Sequence, residues 1–354
     1  MGCKNFRDKD ASSDPMGRIN EVNGKENGKY VTYSRNVFIP LTNACRNRCY
    51  YCGFRSEKPH IMSPEEVKRV LLKAKNATEA LFTFGEKPDD FEHIKKRLRE
   101  FGYSSFIQYI VEMNKMAIDS GLLPHTNAGI LSLSELKYLK PYNASMGLML
   151  EQAVELECHA ESPGKKPEVR IKMIKNAGKL KIPFTTGILV GIGESFYDCI
   201  YSLEIIKEIH RNYGHIQECI IQNFKPKKGT EMEKNPPPSP EFMLKIVKEA
   251  KKVLPNDVTI QIPPNLVEDI LPFIKAGARD IGGISKVTID YINPEAPWPS
   301  LKKIERCLNR EYFLRERLPV YPKYLRLGWY GEKTRELVES LSDDEGYRRV
   351  LNNE

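Results

Sequence analysis

The chain has 354 residues, 40% of them hydrophobic, enough to bury one large α/β core or two ordinary ones. Its formal charge of +8 comes from 55 basic and 47 acidic residues that interleave along stretches such as SPEEVKRVLLKAK and SLKKIERCLNRE, the pattern of solvated helix faces, so no nucleic-acid partner is read from it. No apolar run approaches a membrane span, the start MGCKNFRDKD is too polar for a secretory signal, and Phe6 stands where a myristoylation signal has Ser or Thr, so a soluble, cytoplasmic protein without a membrane partner is expected.

Residues 1–34 are polar and rich in Gly, Asn and Lys and read as an N-terminal extension. The run NVFIPL reads as a first strand leading into the loop CRNRCYYCGF. Ser63 as N-cap and Pro64 at the first helical position then open a helix over SPEEVKRVLLKAKNA. Seven further apolar runs follow: ALFTFG, LLPHTNAG, ASMGLMLE, IPFTTGILVGIGE, HIQECIIQNF, VTIQIPP and DIGGIS. Helical patterns separate them, among them SLSELKYL, PEVRIKMIKNAGK, FYDCIYSLEIIKEIHRN, PSPEFMLKIVKEAKKVL and NLVEDILPFIKAG, with SLKKIERCLNREYF after the last.

Strands apolar on both faces and separated by helices predict a parallel sheet. Eight such units over residues 35–315 fit an α/β fold, a (β/α)8 TIM-type barrel, with a doubly wound open sheet as the alternative. In a barrel the chemistry sits on the loops after the strands, and the polar oddities of this sequence fall there. The remaining residues, 316–354, include RLGWYGEKTRELVES and are expected as a helical tail on the barrel exterior, with no chemistry assigned.

Eight cysteines are present, and Cys3, Cys158, Cys199, Cys219 and Cys307 are scattered singly, the usage of a reducing compartment rather than of a disulfide scaffold. Cys45, Cys49 and Cys52 form C-x-x-x-C-x-x-C. Structural zinc needs four ligands, and no second knuckle exists, although Cys158 with His159 remains a way to complete such a site. Arg46, Asn47 and Arg48 between the cysteines do not suit a core. Three thiolates suit a 4Fe-4S cluster with one iron left without a protein ligand, open to a substrate or cofactor.

This motif, with Tyr51 immediately before Cys52, resembles the signature of the radical S-adenosylmethionine (SAM) enzymes. The resemblance implies that the open iron chelates SAM and that an electron from the reduced cluster cleaves it to a 5'-deoxyadenosyl radical, so Cys45, Cys49 and Cys52 are the expected metal ligands and catalytic centre. Gly85 and Glu86 in FGEKP are similar to the segment that receives the SAM ammonium, with a simple turn as the alternative reading. Glu151 and Arg170 resemble the acid and base set against SAM's ribose and carboxylate, an Arg fork matching a carboxylate, or else a surface ion pair. Gly191 and Gly193 in GILVGIGE resemble a glycine motif beside the adenine, or mark a strand-to-helix turn, and the spacing is not a Rossmann fingerprint. Tyr51 and Asn127, in HTNAG, complete the expected cofactor contacts.

A finer resemblance rests on many strings over residues 35–300: CRNRCYYCGFR, ALFTFGEKPD, LPHTNAGILS, SMGLMLE, HAESPGKKPEVRI, IPFTTGILVGIGE, QNFKPK and DYINPEAPWP. Together they are similar to the FO synthase subunit 1 family of deazaflavin coenzyme F(420) biosynthesis. That family implies ring closure of a hydroxybenzyl-ribityl-diaminouracil adduct to 7,8-didemethyl-8-hydroxy-5-deazariboflavin (FO) with loss of ammonia. It also implies FO synthase subunit 2 as functional partner, supplying the adduct from tyrosine and the diaminouracil, and an electron donor. Gln152 departs from the small hydroxyl residue expected after Glu151. Gln222, Asn223, Asp290 and Asn293 are candidates to read the uracil or ribityl groups, with loop capping as their alternative. Other readings stay open: subunit 2, an aminofutalosine-pathway or biotin-synthase-like radical SAM enzyme, or a non-enzymatic iron-sulfur or zinc protein.

Overall fold

The computed structural model describes residues 29–350, so Cys3 and most of the polar extension lie outside the described residues. Eight parallel strands close into a ring: β1 (Tyr30–Ile39), β2 (Glu79–Thr83), β3 (Leu123–Asn127), β4 (Ser145–Gly147), β5 (Phe184–Val190), β6 (Ile216–Asn223), β7 (Thr259–Gln261) and β8 (Asp280–Ile284). β2 pairs back onto β1, which makes the expected barrel and excludes the open sheet. The helices between strands are α1 (Pro64–Lys73), α2 (Glu92–Glu100), α3 (Phe106–Asp119), α4 (Leu133–Leu139), α5 (Pro167–Lys179), α6 (Phe196–Tyr213), α7 (Pro240–Val253) and α8 (Leu271–Ala276). Ser63 caps α1 with a full capping box, Glu66 returning to its backbone, as Ser63 and Pro64 predict. The main core fills the layer between strands and helices, where Val37, Ile39, Phe82, Ile188 and Ile221 meet Val67, Leu203 and Ile246.

Three elements differ from the sequence reading. β1 begins at Tyr30, inside the stretch read as extension. Its alternation YVTYSR hides polar side chains in the barrel interior, where Thr32 bonds Asp280 and Ser34 bonds Glu79, so it lacks a continuous apolar run. The helix after β8, α9 (Leu301–Cys307), stops short of Tyr312, and Phe313–Glu316 forms a ninth strand, β9. β9 pairs with Tyr30–Tyr33 of β1 where β2 does not reach, since β2 begins its pairing at Asn36. The residues after β9 form two short helices, α10 (Pro322–Arg326) and α11 (Arg335–Leu341), and Leu318, Val320, Tyr324 and Val338 pack with Leu123 and Ala144. The tail is not wholly exterior. Arg317 is buried and grips Asp280 of β8 through two hydrogen bonds, at 2.6 and 3.0 Å. Among the described residues no helix is long and apolar enough to cross a membrane.

Candidate active site at the barrel mouth

Parallel strands aim every second side chain inward, so β6 presents Glu218, Ile220 and Gln222 in ascending order toward the mouth. A cavity of about 290 Å³ opens there. Cys45, Cys49, Cys52, Tyr51, Gly85, Glu86, Asn127, Glu151, Arg170 and Gln222 all line it. A larger cavity of about 780 Å³ lies on the barrel flank beside Lys73 and Trp298, but none of the residues singled out from the sequence reaches it. The chemistry-bearing side chains converge on the mouth.

The cysteine loop is fastened on two sides. Arg46 Nε donates to Glu86 Oε1 at 2.7 Å, and Glu86 Oε2 accepts from Ile130 N at 3.0 Å. Asn47 is buried, and its Oδ1 accepts from Gly164 N at 2.8 Å, so an amide the sequence reading placed outside any core is satisfied within one. Gly85 has no room for a side chain, because a Cβ there would lie 1.9 Å from Ala44 O. Glu86 is thus a brace between the cysteine loop and the loop after β3, as well as a wall of the cavity. All three motif cysteines are free thiols. Glu86 N donates to Cys45 Sγ and Ser162 Oγ to Cys49 Sγ, each at 3.3 Å. Burial pushes both thiols above their ordinary value, and these donors pull the other way.

Opposite the cysteines stands a charged cluster. Glu151 has φ +65°, a left-handed backbone uncommon outside glycine, held by hydrogen bonds to Gly187 O and from Leu189 N, both 3.1 Å. This conformation keeps its carboxylate among Lys165, in direct contact, and Arg170, whose Nη2 is 3.8 Å away. Burial alone would raise the Glu151 carboxyl, but the Lys165 and Arg170 charges outweigh it and hold it below its ordinary value. Arg170 is fixed by carbonyls, its Nε on Met149 O at 2.5 Å and Nη1 on Gly164 O at 2.8 Å. The alternative of a surface ion pair fails here, since Glu151 and Arg170 are buried. Tyr51 closes the wall, its hydroxyl 2.9 Å from His159 Nε2. Asn127 is oriented by His125 Nε2 on its Oδ1 at 3.2 Å and by donating to Thr83 Oγ1 at 3.0 Å.

Other predicted residues stand apart. Gly191 and Gly193 do not line the cavity; with φ +97° and +114° they shape the turn after β5, where Glu194 accepts from Gly191 N at 2.6 Å. Asp290 is a loop brace, accepting from Ile292 N, Asn293 N, Asn265 Nδ2 and Asn293 Nδ2 at 2.9–3.1 Å. Gln152 points away from the cavity and ties Leu189 O to Ser202. Asn223 and Asn293 line a side pocket of about 60 Å³ that shares Tyr51, Cys52 and Gln222 with the main cavity. Asn223 donates to Leu266 O at 3.0 Å, while its buried Oδ1 has no partner.

Sequence reasoning missed Lys165, Thr83, Thr185, Phe54 and Lys227, all of which line one of these spaces. Lys165 sits in GKKPE, which reads as a solvated loop; its burial follows from the Glu151 contact, which no local pattern announces.

Residues 39–206 match the Radical SAM superfamily. The chain is 66% identical over 322 residues to 7,8-didemethyl-8-hydroxy-5-deazariboflavin synthase of Archaeoglobus fulgidus, covering 91% of this chain and 99% of that protein. The chain belongs to this family of radical SAM enzymes. The protein of the same name from Methanosarcina mazei is 54% identical, covering 90% of this chain and 96% of its own. The fold also resembles the FeFe-hydrogenase maturase HydG from Carboxydothermus hydrogenoformans, at TM-score 0.66 and 17% identity, over 92% of this chain and 81% of that one. Family membership implies a 4Fe-4S cluster and SAM, a small-molecule substrate and an electron donor.

Proposed function

We propose that this chain is FO synthase subunit 1, which closes the third ring of the hydroxybenzyl-ribityl-diaminouracil adduct and releases ammonia. The observation that carries the reading is one cavity that joins three free cysteines, a buried Glu151–Lys165–Arg170 cluster and a side pocket lined by neutral amides. The relatives' shared name, that of the enzyme making the closed-ring product, supports subunit 1 over subunit 2.

The donor set fits the cluster. Among the described residues no three His, Cys, Asp or Glu side chains converge on a point where they would hold one metal ion. Cys45, Cys49 and Cys52 nevertheless line one cavity, the arrangement for a cluster whose irons each take their own thiolate. The donors on Cys45 and Cys49 suit thiolate ligands. Cys45, Cys49 and Cys52 would hold the cluster, one thiolate each. When bound, the cluster and SAM would supply radical chemistry for a hydrogen that no side chain is basic enough to take.

The protein's own groups position and shield. Arg170, held rigid by two carbonyls, presents its Nη2 edge to a carboxylate, and Glu151 accepts from a ribose hydroxyl, its charge kept by Lys165. Asn127 keeps one N–H for the cavity, and Gly85 and Glu86 offer a carbonyl and carboxylate to an ammonium. Gln222, Asn223 and Asn293 receive the adduct; Asn223 Oδ1 calls for a hydroxyl or N–H donor, as a ribityl chain provides. Subunit 2 supplies the adduct. The barrel, which begins with β1 at Tyr30, carries the chemistry, with the described residues after β9 supporting it. Anaerobic reconstitution with iron and sulfide tests the site: the cluster's spectrum should change when SAM is added, and an unchanged spectrum would show a closed site.

A further inference from the structure

The cavity has a floor, and beneath it lies a charge cluster that the reading above does not use. Thr185 of β5 lines the floor. It stands directly opposite Glu218 of β6 in the sheet register, and the Thr185 hydroxyl donates to Glu218 Oε2 at 3.1 Å, a bond that runs the other way once that carboxyl carries a proton. Glu218 is 3% exposed, and its Oε1 makes no hydrogen bond. The groups facing it are Arg317 from the segment after β9, Asp280 of β8, Glu79 of β2 and Tyr321, packed on the Arg317 guanidinium.

Two observations about Glu218 conflict on the surface. Arg317 Nη2 lies 3.6 Å from Glu218 Oε1, which suggests an ion pair, yet burial pushes the Glu218 carboxyl up to about 8, with Asp280 and Glu79 adding to the rise and Arg317 and Thr185 opposing it. The hydrogen bonds decide. Arg317 already grips Asp280 through Nε and Nη2, so one guanidinium faces three buried carboxyls and satisfies one of them. Glu79 is likewise raised by burial. A neutral, protonated Glu218 is therefore the state that this cluster favours at neutral pH.

We propose that Glu218 and Thr185 form a proton relay under the cavity floor, delivering a proton to the nitrogen that leaves during ring closure. The inference rests on the proposed ring-closing reaction. As the carbon–nitrogen bond breaks, its electron pair goes to nitrogen; nitrogen takes the Thr185 hydroxyl proton, and Thr185 Oγ1 takes the proton of Glu218. Glu218 is left as a carboxylate facing Arg317 and is reprotonated from water when products leave. An acid at the floor needs a value near the working pH, and burial beside the Asp280 and Glu79 carboxyls provides it. Nothing in β6 announces this role: Glu218 in HIQECIIQNF reads as an isolated charge in an apolar strand.

The test uses the reconstituted full chain. Because the protonated form is active, product formation per SAM cleaved should fall as pH rises through about 8. Glu218→Gln, close in shape to the neutral acid, should keep the wild-type melting temperature at pH 7 but lose roughly 100-fold or more in product formation and lose the alkaline limb. Thr185→Val should do the same, and Thr185→Ser, which keeps the hydroxyl, should recover most of the activity and the limb. An infrared difference spectrum, wild type minus Glu218→Gln, should show a protonated-carboxyl band at pH 7 that disappears through about 8. Absence of that band at pH 7, or a Thr185→Val enzyme with wild-type rate and pH profile, overturns the relay. The infrared result needs no substrate. A wild type that shows the band yet never converts the adduct therefore refutes the proposed reaction, and the relay with it, whereas adduct conversion without the band refutes the relay alone.

Discussion

Gly164→Ala tests how the cysteine loop is held. Gly164 has an ordinary backbone, so the change strains no dihedral; its effect is steric. A Cβ there would lie 1.8 Å from Glu86 Oε1 and 2.4 Å from Glu86 Cδ, so the carboxylate must move. Moving it breaks the Arg46 contact at 2.7 Å and the Ile130 N contact at 3.0 Å. Hydrogen bonds to charged groups contribute about 1.5–3 kcal/mol each, and the Arg46 pair is discounted because that side chain is 29% exposed, which leaves about 2–4 kcal/mol. Urea denaturation of the protein without cluster should show that loss as a lower midpoint at unchanged slope. Iron and sulfide bound after reconstitution should also fall, because Arg46 follows Cys45 directly. A variant with an unfolding free energy within about 0.5 kcal/mol of wild type, the range of a neutral surface change, and full iron would refute the bracing role of Glu86.

Further outcomes follow from the same geometry. Lys165→Met leaves the buried Glu151 carboxylate with Arg170 alone at 3.8 Å and should cost about 3–5 kcal/mol at pH 7. The folded-state carboxyl of Glu151 lies below its unfolded value, so its stabilisation is present above the ordinary carboxylate range and lost as pH falls through the folded value; the gap between variant and wild type in chemical denaturation should narrow on acidification. Ala at Cys45, Cys49 or Cys52 should abolish SAM cleavage and lower iron content, whereas Ala at Cys219 or Cys307 should keep the iron, as elemental analysis would register. Asn223→Leu should raise the adduct KM roughly 5–10-fold, the loss of about one neutral hydrogen bond, with SAM binding unchanged by titration. Asp290→Ala should instead lower the unfolding free energy by about 1–3 kcal/mol, read by chemical denaturation, since its carboxylate accepts four loop hydrogen bonds.

How far the sequence carried the fold depended on which side of each strand held the apolar residues. β5, FTTGILV, is buried along its whole length and stands out as a parallel-barrel strand. The first half of β1 does not, although NVFI in its second half does, because Thr32 and Ser34 point into a polar barrel interior, and an inward polar residue looks the same in sequence as an outward one. β9 was hidden for a different reason: Phe313–Glu316 gains its strand character only from β1, which lies far away in the chain. In the site, the cysteine spacing is local and legible, and Glu151 and Arg170 stand out at the end of a strand and on the next helix. Lys165, Thr185 and Glu218 become site residues only when the barrel closes over them. Asp290 shows the converse: a polar residue at a strand end drew a substrate role, and its neighbours Ile292, Asn293 and Asn265 use its carboxylate instead.

The proposed activity is closing the ring rather than building the adduct. The most direct measurement is product analysis of the reconstituted wild-type protein, reduced and anaerobic, given SAM with either the hydroxybenzyl-ribityl-diaminouracil adduct or the pair tyrosine and ribityl-diaminouracil. A ring-closing enzyme yields FO, ammonia and 5'-deoxyadenosine from the adduct and consumes no tyrosine. Adduct formation from tyrosine, with the supplied adduct left unchanged, would contradict it and assign the chain the chemistry of the partner subunit.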